Sequence, residues 1–240
     1  MFDVQYQTNS ADERPWADRF KTAQTYGRLK HLLVFQKIPP RTRLDIGVLA
    51  RRLNVSKTPV REALIMLAEE RIIQAVPGSG YFSKPLNATE IAEDYEVAFA
   101  MLKHTIEASV QSFSKSGLTM PKTGPLVALG QELTHNVRPY ADFIEALFER
   151  VAAMKGNQLS LQMVHAFNGR TTFIRQLDLE QPGHFEEIAT AMSEFVECLE
   201  RWDAPGAVAN LERQYKRKID LLHHLVAQGN LRAMNVSEHW

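Results

Sequence analysis

The chain has 240 residues, 45% of them apolar and 23% charged, which is the composition of a globular protein with room for two domains. Its single cysteine, Cys198, excludes an internal disulfide framework and a zinc site built from cysteines. No apolar run approaches the roughly 18 to 20 residues that cross a bilayer, and the first residues are polar, so we expect a cytoplasmic protein with no membrane partner.

The formal net charge of zero hides a division of charge along the chain. The first 85 residues hold 14 Lys and Arg against 8 Asp and Glu, whereas the remainder holds 14 against 20. A basic N-terminal part can displace counterions from phosphates, while an acidic C-terminal part repels nucleic acid. The division therefore indicates that DNA contacts lie in the first part, although an unevenly charged solvated surface would give the same counts.

The N-terminal part is predicted to hold a flexible arm over residues 1–17 and a folded domain over 18–85. Apolar residues at helical spacing predict helices over 19–36, 47–53 and 58–70, the last two separated by a tight turn. Two short β-prone runs follow, one on each side of Pro-Gly-Ser-Gly at 77–80. A helix-turn-helix followed by such a hairpin is a winged helix.

From residue 88 onward, every segment carries apolar residues at helical spacing. Helices are predicted over 88–114, 125–136, 139–154, 157–178, 184–201 and 204–227. They form a bundle over 88–228, followed by a tail at 229–240. The predicted fold class is mainly α: a winged helix-turn-helix with a small β-hairpin wing, then an all-α bundle of about six helices.

The start of the helix at 58–70 has the properties of a DNA recognition helix. Such a helix buries one face and presents short polar and basic side chains at the N-terminal end that enters the major groove. Lys57, Thr58 and Arg61 share the face opposite the apolar stripe. Ser56 and Thr58 are expected to bind phosphates, and Lys57 or Arg61 to reach guanine edges. The alternative is that Lys57 and Arg61 only solvate the helix.

The segment Asn-Val-Ser-Lys-Thr-Pro-Val-Arg-Glu-Ala-Leu at 54–64, together with Pro-Gly-Ser-Gly at 77–80, resembles the signature of GntR-family transcriptional regulators. The helical second half is similar to that of the FadR subfamily. The resemblance implies that the DNA-contacting positions are Ser56, Lys57, Thr58, Pro59, Arg61, Pro77, Gly78 and Ser79. Where the family commonly has a DNA-contacting arginine in its second helix, this chain has Gly47, which implies a different operator.

The second half resembles the ligand-binding domain of the same subfamily around Lys155-Gly156-Asn157 and Trp202-Asp203-Ala204. Many relatives hold a divalent metal there with one aspartate and three histidines. The corresponding positions of this chain are Ile144, Phe148, Met192 and Gln214, which are poor ligands for such a cation. The resemblance therefore implies a cavity with no metal and no cofactor. Such a cavity favours a lipophilic or aromatic effector, and a long-chain acyl-CoA is one candidate because the namesake of the subfamily binds it without metal.

Polar residues on one face of the helix at 157–178 are candidate anchors for the effector. Asn168, Thr171 and Arg175 share this face, and a few convergent polar groups fix the orientation of a ligand in an apolar pocket. A hydrogen-bond network between helices would explain them equally well. The cavity could also be filled by side chains and sense nothing.

Together these features predict a sequence-specific DNA-binding transcriptional regulator, a homodimer on a double-stranded DNA operator, that represses until a small-molecule effector binds. The sequence contains no glycine-rich phosphate loop, nucleophile and base in a credible setting, or metal cluster, so we expect no enzymatic activity. Two alternatives remain: an effector-independent DNA-binding protein with a filled helical dimerisation domain, and a metal-dependent sensor.

Overall fold

The computed structural model describes residues 14–121 and 137–235, with side chains described from Phe20 onward. Two compact units make up the chain. One ends at Pro85 and also takes in the chain from Ala233, and the other comprises Leu86–Arg232. The helix predicted over 125–136 and most of the predicted arm lie outside the described residues.

The N-terminal unit is a winged helix-turn-helix, which confirms the predicted fold class. Its elements are α1 (Arg14–Val34), α2 (Ile46–Leu53), α3 (Lys57–Glu69), β1 (Ile73–Val76) and β2 (Gly80–Ser83). The strands pair antiparallel, with Ile73 opposite Ser83 and Val76 opposite Gly80. Helix α1 packs along α3, and the core is formed by side chains from all three helices and β1. The core includes Leu29, Leu33, Leu49, Val60, Leu64, Leu67 and Ile73.

Local chemistry explains the sharp turn between α2 and α3. The carboxylate of Asp45 accepts a 2.8 Å hydrogen bond from the amide of Val48, which caps the start of α2. Asn54 ends the helix in the left-handed conformation, with φ of 55°. Asparagine tolerates this conformation better than most residues do. The chain can therefore reverse within three residues and begin α3 at Lys57.

The C-terminal unit is all-helical in the part of the chain that the structure describes. It contains α4 (Ala88–Ser109), a 3₁₀ turn (Val110–Ser112), α5 (Val137–Ala153), α6 (Gln158–Leu179), α7 (His184–Glu200) and α8 (Ala204–Met234). Helix α5 packs along α6, and α4 packs against both. Asn87 and Asn157 begin α4 and α6 by accepting hydrogen bonds from two backbone amides each.

Helix α8 differs from its prediction because it continues to Met234. The sequence places a tail from Gly229 onward, since glycine commonly follows the end of a helix. Gly229 is instead buried within the helix, where an added Cβ would lie 2.5 Å from Leu86 Cδ1 and 3.0 Å from Leu177 Cδ1. The glycine is therefore required by close packing. At the other end of the chain, α1 begins at Arg14, inside the segment 1–17 predicted as an arm.

A helix that spans a bilayer must be both long and apolar. Within residues 14–121 and 137–235, none combines sufficient length with sufficient apolar character to span a membrane.

Candidate nucleic-acid interface and effector cavity

Helix α3 presents its basic N-terminal end to solvent. Lys57, Thr58 and Arg61 are exposed, whereas Val60 and Leu64 on the opposite face are completely buried. Ser56 occupies the position before the helix, and its side chain makes no capping hydrogen bond. The first amides of a helix carry partial positive charge and bind anions. The start of α3 therefore combines two basic side chains with backbone donors suited to phosphate.

Side chains of α1 donate hydrogen bonds to acidic side chains at α3. Thr22 Oγ1 donates a 2.6 Å hydrogen bond to Glu62, and Lys30 Nζ donates a 2.8 Å bond to Glu70. Tyr26 also donates to Glu70, at 2.5 Å. Glu62 of α3 and Glu70, the residue that follows α3, are thus bound by α1, which leaves basic groups at the exposed N-terminal end of α3.

A basic depression lies where the starts of α2 and α3 meet the hairpin. Its lining residues are Arg43, Leu44, Asp45, Ile46, Gly47, Lys57, Arg61, Gly80 and Tyr81. Three cations therefore face one carboxylate in this depression. Arg43 was not among the predicted DNA-contacting residues. Its position depends on the backbone, because the amide of Leu44 donates a 2.8 Å hydrogen bond to the carbonyl of Tyr81. The segment that contains Arg43 and Leu44 therefore runs antiparallel beside β2. The alternation Arg41-Thr42-Arg43 before α2 was the available signal.

Gly47 lies on the wall of the same depression. A Cβ added there would be 3.2 Å from Asp45 Oδ1, 3.8 Å from Arg51 Nη1 and 3.9 Å from Lys57 Cε. Although this chain lacks an arginine at position 47, the guanidinium of Arg51 lies beside that position. The surface is therefore basic despite the glycine.

The residues of the hairpin tip are exposed to solvent, whereas Pro59 is buried. Pro77, Gly78 and Ser79 are exposed, and Gly78 adopts a φ of 74°, which favours glycine. The tip thus presents backbone with little side-chain bulk. Pro59 is buried and fits the first turn of α3, so it offers no exposed side chain, unlike the other predicted contacts.

The C-terminal unit contains a cavity of about 90 Å³ between its helices. Helices α4, α5, α6, α7 and α8 all contribute side chains to it. The four positions aligned with the metal ligands of relatives, Ile144, Phe148, Met192 and Gln214, all line this cavity, as does Arg175. The structure therefore brings together five of the seven predicted effector-binding residues.

The remaining two, Asn168 and Thr171, do not line the cavity but hold Arg175. The guanidinium donates to Asn168 Oδ1 at 3.3 Å and to Thr171 Oγ1 at 3.2 Å. It also donates to Glu145 Oε1 at 2.6 Å, and Asn168 Nδ2 donates to the Glu145 carbonyl at 3.0 Å. The alternative of an interhelical hydrogen-bond network thus describes Asn168 and Thr171, whereas Arg175 belongs to both the network and the cavity.

The donor set at the aligned positions does not suit a metal ion. Two hydrocarbon side chains, one thioether and one amide provide neither a carboxylate nor an imidazole. Among residues 14–121 and 137–235, no three His, Cys, Asp or Glu side chains are grouped to hold a metal.

A buried charge cluster that the sequence did not predict contributes Asp178, Arg217 and Lys218 to the cavity lining. Asp178 is fully buried and accepts hydrogen bonds from Arg217 at 2.9 and 3.2 Å and from the ammonium of Lys218. His184 Nδ1 lies 2.8 Å from the same carboxylate. The adjacent Arg217-Lys218 pair in α8 was the only signal in the sequence, and it does not reveal a partner about 40 residues earlier.

Burial and neighbouring charge oppose each other in this cluster. Burial alone would raise the pKa of Asp178, but Lys218 and Arg217 outweigh it and lower the pKa to about 2. For Lys218, burial lowers the pKa, and Arg175 and Arg217 add to that effect. Asp178 offsets them only in part, so the pKa falls to about 8. The two results are consistent because one carboxylate is shared by two cations.

The N-terminal unit matches a known protein family. Residues 21–82, from the first turns of α1 through β2, match the family described as bacterial regulatory proteins, gntR family. The match contains the whole helix-turn-helix and the hairpin.

Two relatives extend the similarity. The HTH-type transcriptional regulator YdhC of Bacillus subtilis is 21% identical over 211 residues, which are 86% of this chain and 92% of that protein. The HTH-type transcriptional repressor RspR of Escherichia coli is 31% identical over 96 residues, which are 40% of each chain.

Two solved structures share the fold. McbR/YncC of E. coli superposes with a TM-score of 0.63 at 19% identity, over 85% of this chain and 97% of that one. A GntR-type transcriptional regulator from a Rhodococcus species gives a TM-score of 0.65 at 15% identity, over 85% and 98% of the two chains. The fold of this chain therefore recurs in known proteins.

Proposed function

The chain is a DNA-binding transcriptional regulator of the GntR family, and from that premise we propose that it is a repressor whose operator affinity is controlled by a small molecule in the cavity. The observation that carries the DNA-binding part of the proposal is the exposed basic start of α3 beside the hairpin. Its position matches the demands of the major groove, where the N-terminal end of a recognition helix meets base edges.

Each exposed group has a distinct role in this proposal. Ser56, Thr58 and the first amides of α3 bind phosphates and set the register of the protein on the duplex. Arg61 and Lys57 reach guanine edges in the major groove. The tip residues Pro77, Gly78 and Ser79 approach the neighbouring groove through the backbone.

The C-terminal unit is proposed to sense a lipophilic effector without a metal. The support is the cavity itself, whose walls include Ile144, Phe148 and Met192 at the positions that bind metal in many relatives. The alternative, an effector-independent protein with a filled bundle, predicts no ligand-dependent change in operator affinity. A ligand changes operator affinity only if it binds the DNA-competent and DNA-incompetent states with different affinities.

The proposal extends to membership of the FadR subfamily, to a homodimer and to a repressor role. The subfamily resemblance supports two winged helices on a two-fold symmetric operator, and the similar protein RspR is named a repressor. In solution we expect a particle with twice the chain mass of 27.3 kDa by light scattering. A particle of one chain mass would contradict the dimer.

The DNA-binding proposal is tested by selecting binding sites from random duplexes and measuring Kd with the selected duplex. Arg61→Ala should weaken binding by about 1 to 3 kcal/mol, or about 5- to 150-fold. Lys37→Ala is the matched control, since Lys37 is an exposed cation that does not line the basic depression. Equal Kd values for Arg61→Ala and the wild type would remove α3 from the interface.

A further inference from the structure

We propose that Arg51 of α2 is a further DNA-contacting residue, whose guanidinium binds a phosphate of the operator from its position over Gly47. This inference rests on the proposed function and extends the DNA-binding surface from the start of α3 and the hairpin onto α2. Arg51 was not among the DNA-contacting positions that the sequence predicted.

The guanidinium of Arg51 lies one helical turn closer to the start of α2 than its own backbone does. Gly47 and Arg51 are four positions apart, so they share one face of the helix. A Cβ on residue 47 would be only 3.8 Å from Arg51 Nη1, and position 47 is about 6 Å nearer to the start of the helix. Gly47 is part of the wall of the basic depression. The guanidinium of Arg51 therefore lies beside that depression.

Gly47 provides the space that the guanidinium uses. A Cβ at this position would already lie 3.2 Å from Asp45 Oδ1, and a longer side chain would extend toward Arg51 Nη1 and Lys57 Cε. Glycine is also a poor helix former. Its presence within α2 is therefore explained by the need for space beside Arg51.

Arg51 adds a fourth cation to a surface with one carboxylate. The cations that line the depression are Arg43, Lys57 and Arg61, and the lining carboxylate is that of Asp45. The pKa of Asp45 is lowered by backbone hydrogen bonds at the start of α2 and, in addition, by the charges of Arg43 and Arg51. One carboxylate cannot neutralise four cations. The surface therefore suits a polyanion such as the DNA backbone.

The side chain of Arg51 is available to a phosphate. It is exposed, and among the residues that the structure describes none forms a hydrogen bond or an ion pair with its guanidinium. A guanidinium binds a phosphate through two parallel N–H donors. The helix that precedes a recognition helix crosses the DNA backbone, which brings phosphates to this side of α2.

The alternative is that Arg51 only stabilises the end of α2. Arg51 and Arg52 both lie in the last turn, where a cation interacts favourably with the partial negative charge of the helix end. The guanidinium of Arg51 instead lies beside Gly47, away from the last carbonyls of the helix. Its position therefore favours the phosphate contact, and Arg52 provides a matched control.

Duplex binding by the full-length protein compares Arg51→Ala with Arg52→Ala. Both variants remove an exposed cation from the same turn, but the two side chains point about 100° apart around the helix. We expect Arg51→Ala to weaken binding to the selected duplex and to a non-specific duplex alike, by about three- to tenfold. The slope of log Kd against log salt should fall by about 1. Arg52→Ala should change Kd by less than about twofold.

Three results of that comparison would overturn the inference. The first is a Kd for Arg51→Ala equal to that of the wild type. The second is an equal loss for Arg52→Ala, which would remove any significance from the position over Gly47. The third is a loss confined to the selected duplex, since a phosphate contact carries no sequence information.

Gly47→Leu tests whether Arg51 acts from its position over the glycine. The leucine side chain would occupy the space beside Arg51 Nη1 and displace the guanidinium from the depression. We expect Gly47→Leu to weaken binding by about the same factor as Arg51→Ala. The double variant should bind no more weakly than Arg51→Ala alone, because both changes remove the same contact. Losses that multiply in the double variant would overturn the role of Gly47. If Gly47→Leu does not fold, the comparison of Arg51→Ala with Arg52→Ala decides the inference.

The same titrations separate this inference from the proposed function. A wild-type protein that binds no duplex would overturn the proposed function. A wild-type protein that binds the selected duplex, is weakened by Arg61→Ala and is unaffected by Arg51→Ala would retain the proposed DNA-binding function and lose only this inference.

Discussion

The two units of this protein place charge in opposite ways. In the N-terminal unit, the described charged residues lie at least partly in solvent, and Arg43, Lys57 and Arg61 line one depression at the starts of α2 and α3. Among the described residues of the C-terminal unit, three charged ones are buried: Asp94, Arg175 and Asp178. A surface that reads DNA must be accessible and gains from many weak phosphate contacts. A cavity that senses a small molecule gains from few charges in a medium that screens them little.

This difference means that the same kind of substitution should have different effects in the two units. Removing an exposed cation of the N-terminal unit should change DNA affinity and leave the fold intact. Removing a buried charge of the C-terminal unit should first change the stability of the fold, because its partner is left buried without compensation.

The largest expected effect is that of Asp178→Asn, which leaves Arg217 and Lys218 without their shared carboxylate. We expect the free energy of unfolding to fall by about 3 to 5 kcal/mol in urea denaturation. Glu200→Gln is the control, since its pair with Lys115 is exposed and should contribute less than about 1 kcal/mol. A loss below about 1 kcal/mol for Asp178→Asn would show that removing a buried charge of the C-terminal unit destabilises the fold no more than removing an exposed charge does.

The dependence of the unfolding free energy on acidic pH tests the same difference between buried and exposed charges. Because the folded-state pKa of Asp178 is lowered from its ordinary value of 3.8 to about 2, its ionised form stabilises the fold above about pH 4. That contribution, about 2 kcal/mol, is lost as pH falls from about 4 to 2. The difference in unfolding free energy between the wild type and Asp178→Asn should therefore shrink over this range. A difference that stays constant down to pH 2 would contradict the lowered pKa.

A smaller effect is expected from Arg43→Ala in the basic depression. Arg43 is exposed and lies beside Lys57 and Arg61, so we expect a phosphate contact. The variant should bind all duplexes more weakly by about 1 kcal/mol and reduce the slope of log Kd against log salt by about 1. Its urea midpoint should not change. A loss confined to one duplex sequence would instead indicate a base contact.

The sequence predicted the N-terminal unit well because its information is local. The stripe of Val60 and Leu64, the glycines at 77–80 and the turn at Asn54 each specify their own few residues, and the observed bounds differ from the predicted ones by at most one position at α2 and α3. Arg43 was missed because its place depends on backbone pairing with Tyr81, which no periodicity announces.

The C-terminal unit was predicted less completely because its site depends on distant helices. The aligned positions Ile144, Phe148, Met192 and Gln214 line one cavity. The polar residues that anchor an effector were harder to predict, because a shared helical face does not indicate whether a side chain contacts a ligand or a neighbouring side chain. Lys218 and Asp178 lie 40 residues apart, and Gly229 packs on Leu86, so neither contact has a local signature.

The most direct test of the account is the ratio of Kd values for a non-specific duplex and the selected operator, measured with the wild-type protein at one physiological salt concentration. We predict an operator affinity at least 10³-fold higher than the non-specific affinity. Arg61→Ala should reduce that ratio because a base contact is lost. Equal affinity for the two duplexes would contradict the assignment of α3 as a helix that reads sequence.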